Sequence, residues 1–158
     1  MDQKRIAIIR LKGEGNVRPP VRETLRLLRL YKKQTCVIIP NTPQFVGMLM
    51  VVKDYITWGE VDEETMKQLL VKRGRLARKK MLTDAYVKEQ IKMDIPAFVK
   101  EFIAFKKELK DIPALKLFFN LAPPRKGLEA KGVKADFSMG GALGYRKSHI
   151  NELIQRML

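Results

Sequence analysis

TCVIIPNTPQFVGMLMVVKDYITWG, residues 35–59, changes its hydrophobic rhythm twice. Thr35 to Ile39 is short, apolar and β-branched, the signature of a buried strand. Pro40-Asn41-Thr42-Pro43 stops it, because proline has no N–H to give a ladder, and opens a helix with Asn41 or Thr42 as the N-cap. The spacing predicts a helix from Pro43 to Lys53, then a strand over Tyr55 to Trp58 that Gly59 closes. Upstream, RIAIIRL (Arg5 to Leu11) reads as another buried strand and KGEGN (Lys12 to Asn16) as a turn-rich loop. Pro19-Pro20 suits a first helical turn. That helix is expected to reach about Tyr31, with Val21, Leu25, Leu28 and Tyr31 on one face and Arg18, Arg22, Arg26, Arg29 and Lys33 as a basic stripe. Residues 1–60 therefore predict a β-α-β-α-β order, a complete small α/β unit.

Residues 61–114 read as a helical extension. Asp62 to Arg73 carries acids in its first turn and bases in its last, matching the helix dipole, with Gly74 as C-cap. Arg75 to Lys80 is a basic connector, and Asp84 to Lys92 a short helix. Asp94 caps a further helix whose apolar positions are Phe98, Phe102, Phe105 and Leu109, ended by Asp111-Ile112-Pro113. In residues 115–158, Leu115 to Leu121 predicts a strand. Ala122 to Ser148, with two prolines and five glycines, predicts an extended or irregular arm, and Ser148 caps a last helix, His149 to Met157.

The formal net charge is +15, from 32 Lys and Arg against 17 Asp and Glu. The excess is spread evenly, +6 over residues 1–60, +5 over 61–110 and +4 over 111–158. A compact chain with that excess repels itself and is relieved by a bound polyanion touching several faces, such as folded RNA. The single cysteine, Cys36, forbids an intramolecular disulfide. MDQKRIAIIR has no long apolar segment of the kind a secretory leader needs, and the longest apolar run, Phe45 to Val52, falls far short of a membrane span. A soluble cytosolic protein with no membrane partner is expected.

Catalytic chemistry finds little support. One histidine, His149, and one cysteine cannot fill a structural zinc site, and no cofactor is expected. His149 reads as a surface or packing residue, and Cys36, inside a strand, as a small core residue. Gly13-Glu14-Gly15 follows a strand but lacks the third glycine of a dinucleotide loop, since position 18 is Arg18. A simpler reading is a flexible loop that lets Lys12 approach an external phosphate.

Three basic features remain. The first is the stripe Arg18, Arg22, Arg26, Arg29 and Lys33, either a solvated face or a phosphate ligand. The second is KRGRLARKK, residues 72–80, whose six cations Lys72, Arg73, Arg75, Arg78, Lys79 and Lys80 point to phosphate contact. The third is the arm, with Arg125, Lys126, Lys131, Lys134, Arg146 and Lys147, which either threads between RNA helices and folds on binding or is a solvated loop. Phe137 and Tyr145 either stack on splayed bases or anchor the arm.

Asn41-Thr42-Pro43, Gly47-Met48-Leu49 and Val52-Lys53-Asp54-Tyr55-Ile56 together resemble the L-thirty family of large-subunit ribosomal proteins, called L-seven in eukaryotes. The resemblance also takes in Arg5–Leu11, Thr24-Leu25, Lys72-Arg73-Gly74-Arg75, Leu82-Thr83, Pro123-Pro124-Arg125 and the closing helix Ile150 to Met157, nearly the whole chain. With the first strand starting near residue 5, it is the archaeal long form that is resembled. A Pro-Arg-Gly-Gly turn often seen in the family here reads Pro124-Arg125-Lys126-Gly127. The resemblance implies an α+β fold, a compact ferredoxin-like βαβαβ core with its helices packed on a small sheet, and a non-enzymatic, ribosome-bound protein of the cytoplasm. Its partners would be large-subunit ribosomal RNA, neighbouring ribosomal proteins and nearby five-S RNA. An RNA-processing or RNA-modifying enzyme, an accessory RNA-binding factor and a DNA-compacting protein are the competing readings.

Overall fold

A computed structural model describes residues 3–158; Met1 and Asp2, the start of the segment read above for a leader, lie outside the described residues. The elements in chain order are β1 (Arg5–Arg10), α1 (Pro19–Leu27), β2 (Thr35–Pro40), α2 (Pro43–Val52), β3 (Ile56–Glu60), α3 (Glu63–Arg73), α4 (Asp84–Ile91), α5 (Ile95–Ile103), β4 (Phe119–Asn120), β5 (Gly144–Tyr145) and α6 (His149–Met157). They form an α+β fold on one mixed sheet of order β4-β2-β1-β3-β5. β1 is central and antiparallel to both neighbours, with Ile8 opposite Val37 on one side and Trp58 on the other. β4 extends the sheet antiparallel to β2, and β5 extends it parallel to β3.

Alternation along β1 divides the core in two. Ile6 and Ile8 join Val37, Ile39, Ile56 and Trp58 against Leu25, Leu28, Leu49 and Val52, so α1 and α2 cover one face. Ala7, Ile9, Cys36 and Ile38 turn to the other face, against Met66 and Leu69 of α3, Phe98 and Phe102 of α5, and Ile150 and Leu153 of α6. Cys36 is a core residue, and burial pushes its thiol well up from its ordinary range. Because β1 and β2 are covered on both faces, they read in the sequence as apolar runs; β3 runs from Ile56 to Glu60, so Gly59, expected to close it, lies inside the strand.

Two helices end earlier than their apolar spacing predicts, and for the same reason. α1 stops at Leu27 instead of Tyr31. The Arg29 N–H donates to Arg26 O (3.0 Å) and the Leu30 N–H to Leu25 O (2.9 Å), with Arg29 at φ 61°. This is a Schellman stop, in which buried Leu30 folds back on the side of Leu25. α5 stops at Ile103 instead of running to Asp111: Phe105, at φ 62°, donates to Phe102 O and Lys106 to Glu101 O. Leu109 then sits in a separate single turn, Leu109–Asp111. The predicted strand over 115–121 shrinks to Phe119–Asn120, because its first half pairs with the basic connector; Leu115 opposes Leu76, and the Lys116 N–H donates to Arg75 O (2.9 Å). Of the two possible caps on α2, Thr42 is the one used, accepting from the Phe45 N–H (3.4 Å). Ser148 stands at the α6 N-cap without a side-chain hydrogen bond. Asn151 instead ties that helix down, donating to Glu60 O and Ser148 O and accepting from the Asp62 N–H.

The segment 122–148 is irregular, as expected, but it does not stand off as an arm. Its backbone bonds to itself through Gly141 to Asp136, Phe137 to Leu143 and Ala142 to Gly132, and β5 joins the sheet. Gly59 is what admits it. A Cβ at Gly59 would lie 1.9 Å from the Lys147 carbonyl oxygen and 3.0 Å from Ile150. Gly59→Ala is therefore expected to push the C-terminal segment off β3 and to cost about 2–4 kcal/mol, by the overpacking and lost docking together, measured as a lower urea midpoint.

Candidate nucleic-acid interface

The basic candidates do not form one stripe. The early end of α1 leaves Arg22 and Arg26 on the helix, Arg18 at its N-cap, Arg29 in the left-handed stop and Lys33 in the loop before β2. Arg22 and Arg26 border a hollow of about 280 Å³ with Glu14 and Tyr31, above the buried side chain of Arg10. Arg26 also pairs with Glu23 (2.7 Å), which raises its pKa through that hydrogen bond and charge. Arg29 borders a different recess, beside Phe45 and Lys110.

The 72–80 run splits by direction. Arg73 is half-buried, donating to Leu158 O (3.0 Å) and Asn120 O (3.5 Å), and Arg75 is turned back to Gly74 O (3.1 Å). Lys72, Arg78, Lys79 and Lys80 face solvent, and Arg78 and Lys79 hold φ of 59° and 62° in a tight turn.

In the C-terminal segment, Arg125 and Lys126 lie beside Arg156 of α6 over a shallow hollow of about 360 Å³. Lys126 has φ 63° in a turn closed by the Gly127 N–H on Pro124 O (3.1 Å). Lysine thus takes the left-handed position that a type II turn reserves for glycine. Lys131, Lys134 and Lys147 are exposed.

Arg146 corrects the expectation that it is a surface cation. It is 1% exposed, its Nε donating to the Thr57 hydroxyl (2.8 Å), its two terminal nitrogens to the Glu129 carboxylate (2.8 and 3.3 Å), and Nη2 also to Ala142 O (2.6 Å). The Thr57 hydroxyl in turn donates to Gly144 O (2.8 Å), so the group bolts the 129–146 segment to β3. Burial works to raise the Glu129 carboxyl, but hydrogen bonding and charge from Arg146, with the charge of Arg156, hold it below its ordinary value.

Phe137 and Tyr145 are anchors. Phe137 lies 4.8 Å under the Arg146 guanidinium and 5.4 Å from the His149 ring. Tyr145 packs against Trp58 and donates to Glu60; burial, that hydrogen bond and the Glu60 charge push its phenol up to about 12. His149 has Glu152 at 3.9 Å on an exposed helix face, the surface role expected for it.

One place gathers predicted residues from distant stretches. An open groove of about 730 Å³ is bordered by Lys12 and Arg18 from the β1–α1 loop, Val51 and Tyr55 from the end of α2, and Lys134 from the C-terminal segment. None of these three cations has an ion-pair partner among the described residues. Tyr55 went unremarked in the sequence because it reads simply as the start of a strand; its ring lies 5.7 Å from the Lys12 ammonium. Among the described residues no group of His, Cys, Asp and Glu could hold a metal ion, and no helix is long and apolar enough to cross a membrane.

Residues 6–56, from β1 through α1, β2 and α2 to the first residue of β3, match the ribosomal protein L30p/L7e family. Over 149 residues, 94% of this chain and all of the relative, the sequence is 44% identical to the large ribosomal subunit protein uL30 of Methanopyrus kandleri. The chain belongs to the L30p/L7e family. The same-named protein of Nanoarchaeum equitans is 46% identical over 96% of this chain and 97% of its own, and that of Methanococcus vannielii 42% over 96% and 98%. The family resemblance read from the sequence is thus confirmed over the archaeal long form, including the segment beyond residue 60.

The Glu129–Arg146 pair generates a pH prediction. A carboxyl whose pKa is depressed on folding contributes stability above its unfolded pKa and loses it as pH falls through the folded one. Glu129→Gln should therefore destabilise by about 2–3 kcal/mol at pH 7, by leaving a buried guanidinium without its counter-charge. The gap to the unmodified protein should close as pH drops below the ordinary value of 4.5, in paired denaturation curves at pH 7, 5 and 3.5.

Proposed function

We propose that this chain is a structural component of the large ribosomal subunit, ribosome-bound in the cytoplasm, that holds folded large-subunit ribosomal RNA through Lys and Arg contacts to phosphates. The observation that carries the reading is the near-complete match to archaeal proteins named as large-subunit components. These relatives are structural proteins of the ribosome, and the chain is not an enzyme. Neighbouring ribosomal proteins are its other partners, and the five-S RNA lies near it.

The mechanism is electrostatic. Each phosphate neutralised by a lysine or arginine releases condensed counterions, and a rigid sheet presents the cations in fixed geometry. Lys12, Arg18, Arg22, Arg26, Lys134 and the outward half of the 72–80 run supply the contacts; Arg146 is excluded because its donors are spent internally. Arg29, Lys33, Arg125, Lys126, Lys131 and Lys147 are exposed and add to the field.

Sedimentation of native lysate through sucrose should show stoichiometric co-migration with the large subunit at moderate and at high salt; a peak in the soluble fraction would reject a structural role. In filter binding to large-subunit RNA, Arg18→Ala and Lys134→Ala should each weaken affinity and reduce the slope of log K against log salt by about 0.7–0.9, with thermal unfolding unchanged. Arg146→Ala should instead lower the unfolding temperature.

A further inference from the structure

We propose that the groove between the β1–α1 loop, the end of α2 and the 133–136 turn receives one unstacked nucleotide of the bound RNA, its base against Val51 and Tyr55 and its phosphate on Lys12, Arg18 and Lys134. The proposal rests on the RNA-binding reading above and adds a site to it.

The lining is mixed in a way that a backbone contact alone does not require. Three cations without ion-pair partners among the described residues stand at the groove, but so do Val51, which is 49% exposed, and the half-buried Tyr55. A wall of that kind gives a base a face to lie on, and the adjoining cations take its phosphate. Asp54 and Asp136 also border the groove. Carboxylates repel a phosphate, yet they accept the N–H donors of a base edge. A base within a stack has its faces covered by its neighbours, so one that lies on Val51 and Tyr55 is turned out of its stack. The volume of about 730 Å³ falls inside the range of roughly 300–1,000 Å³ typical of small-molecule sites.

An independent observation comes from α2. None of its ten residues is charged, in a chain that is 31% charged. Gly47 lies one turn before Val51, on the same helix face, and a Cβ there would meet nothing within 4 Å. Glycine in a helix interior is costly relative to alanine. Nothing inside the protein asks for it, whereas a strand leaving the groove along this face gains a closer approach.

The test uses the full chain and full-length large-subunit RNA of Methanococcus vannielii, with Val51→Lys and Gly47→Ala. Both positions are exposed and both substitutions favour helix, so the variants should unfold at or above the temperature of the unmodified protein. If the groove held only phosphates, Val51→Lys would add a cation and tighten binding. A base on the apolar wall predicts the opposite sign: a loss of about tenfold for Val51→Lys, and a smaller loss for Gly47→Ala. It also predicts one nucleotide whose Watson–Crick edge is shielded from base-modifying reagents, dimethyl sulfate for adenine or cytosine and a carbodiimide for uracil or guanine, by the unmodified protein and reactive with Val51→Lys. Equal or tighter binding by Val51→Lys overturns the proposal while leaving the RNA-binding reading intact. So does unchanged RNA affinity with lost incorporation into the subunit, which would put a protein neighbour on this face. Failure of the unmodified protein to bind the RNA overturns the underlying reading itself.

Discussion

β1 is hydrogen-bonded on both edges and covered on both faces, so a charge at either end of it has nowhere to go but inward. Both ends are arginine. Arg5, 3% exposed, lies between the rings of Phe102 and Phe105 at 4.0 and 4.1 Å, donates to Phe102 O and Lys107 O, and meets the Glu108 carboxylate at 2.8 Å. Those partners all lie at or just past the end of α5, so this one guanidinium fastens the helical extension to the central strand. Arg10, 2% exposed, donates to Leu30 O (2.8 Å) and Lys12 O (2.9 Å), and so secures the chain where α1 stops and where the β1–α1 loop begins. Burial lowers its pKa, with Glu14 working against that shift. Lysine would serve at neither end, because these sites use a planar fork that stacks on rings and donates in several directions at once.

Arg146 repeats the device at the edge of the sheet, and with it the C-terminal segment becomes part of the fold. Gly59 clears the space, Thr57 supplies the hydroxyl, and Glu129 supplies the counter-charge. The groove depends on this, since one of its walls is the 133–136 turn carried by the same segment. Lys134 reaches the side of Lys12 and Arg18 because a buried cation holds its backbone there.

This also explains what could be read from the chain alone. β1 and β2 were readable because burial on both faces leaves an apolar run, and the cap at Thr42 because it uses local chemistry; the caps at Asp62 and Thr83 use the same chemistry but were not singled out. Helix ends were not readable where the left-handed stop is filled by Arg29 or Phe105, since neither carries the glycine signal that marks such a stop. Arg146 was unreadable for a different reason. Its neighbours Tyr145 and Lys147 are exposed, and partners at positions 57, 129 and 142 turn it inward. Tyr55 belongs to the groove by virtue of a wall 80 residues away in sequence, which no local pattern announces.

The inward and outward cations differ in what they do to the molecule's field. Pairing Arg5 with Glu108 and Arg146 with Glu129 removes two charges of each sign, so it leaves the net of +15 untouched and carried by the outward-facing cations. The outer set is screened over about 8–10 Å at ordinary ionic strength, while pairs shielded by protein feel added salt much less. The contacts that assemble a ribonucleoprotein and those that hold this fold together therefore answer to salt on different scales. Salt that screens Lys12, Arg18 and Lys134 leaves the Arg146 cluster closed, and with it the 133–136 wall of the groove that this cluster holds in place.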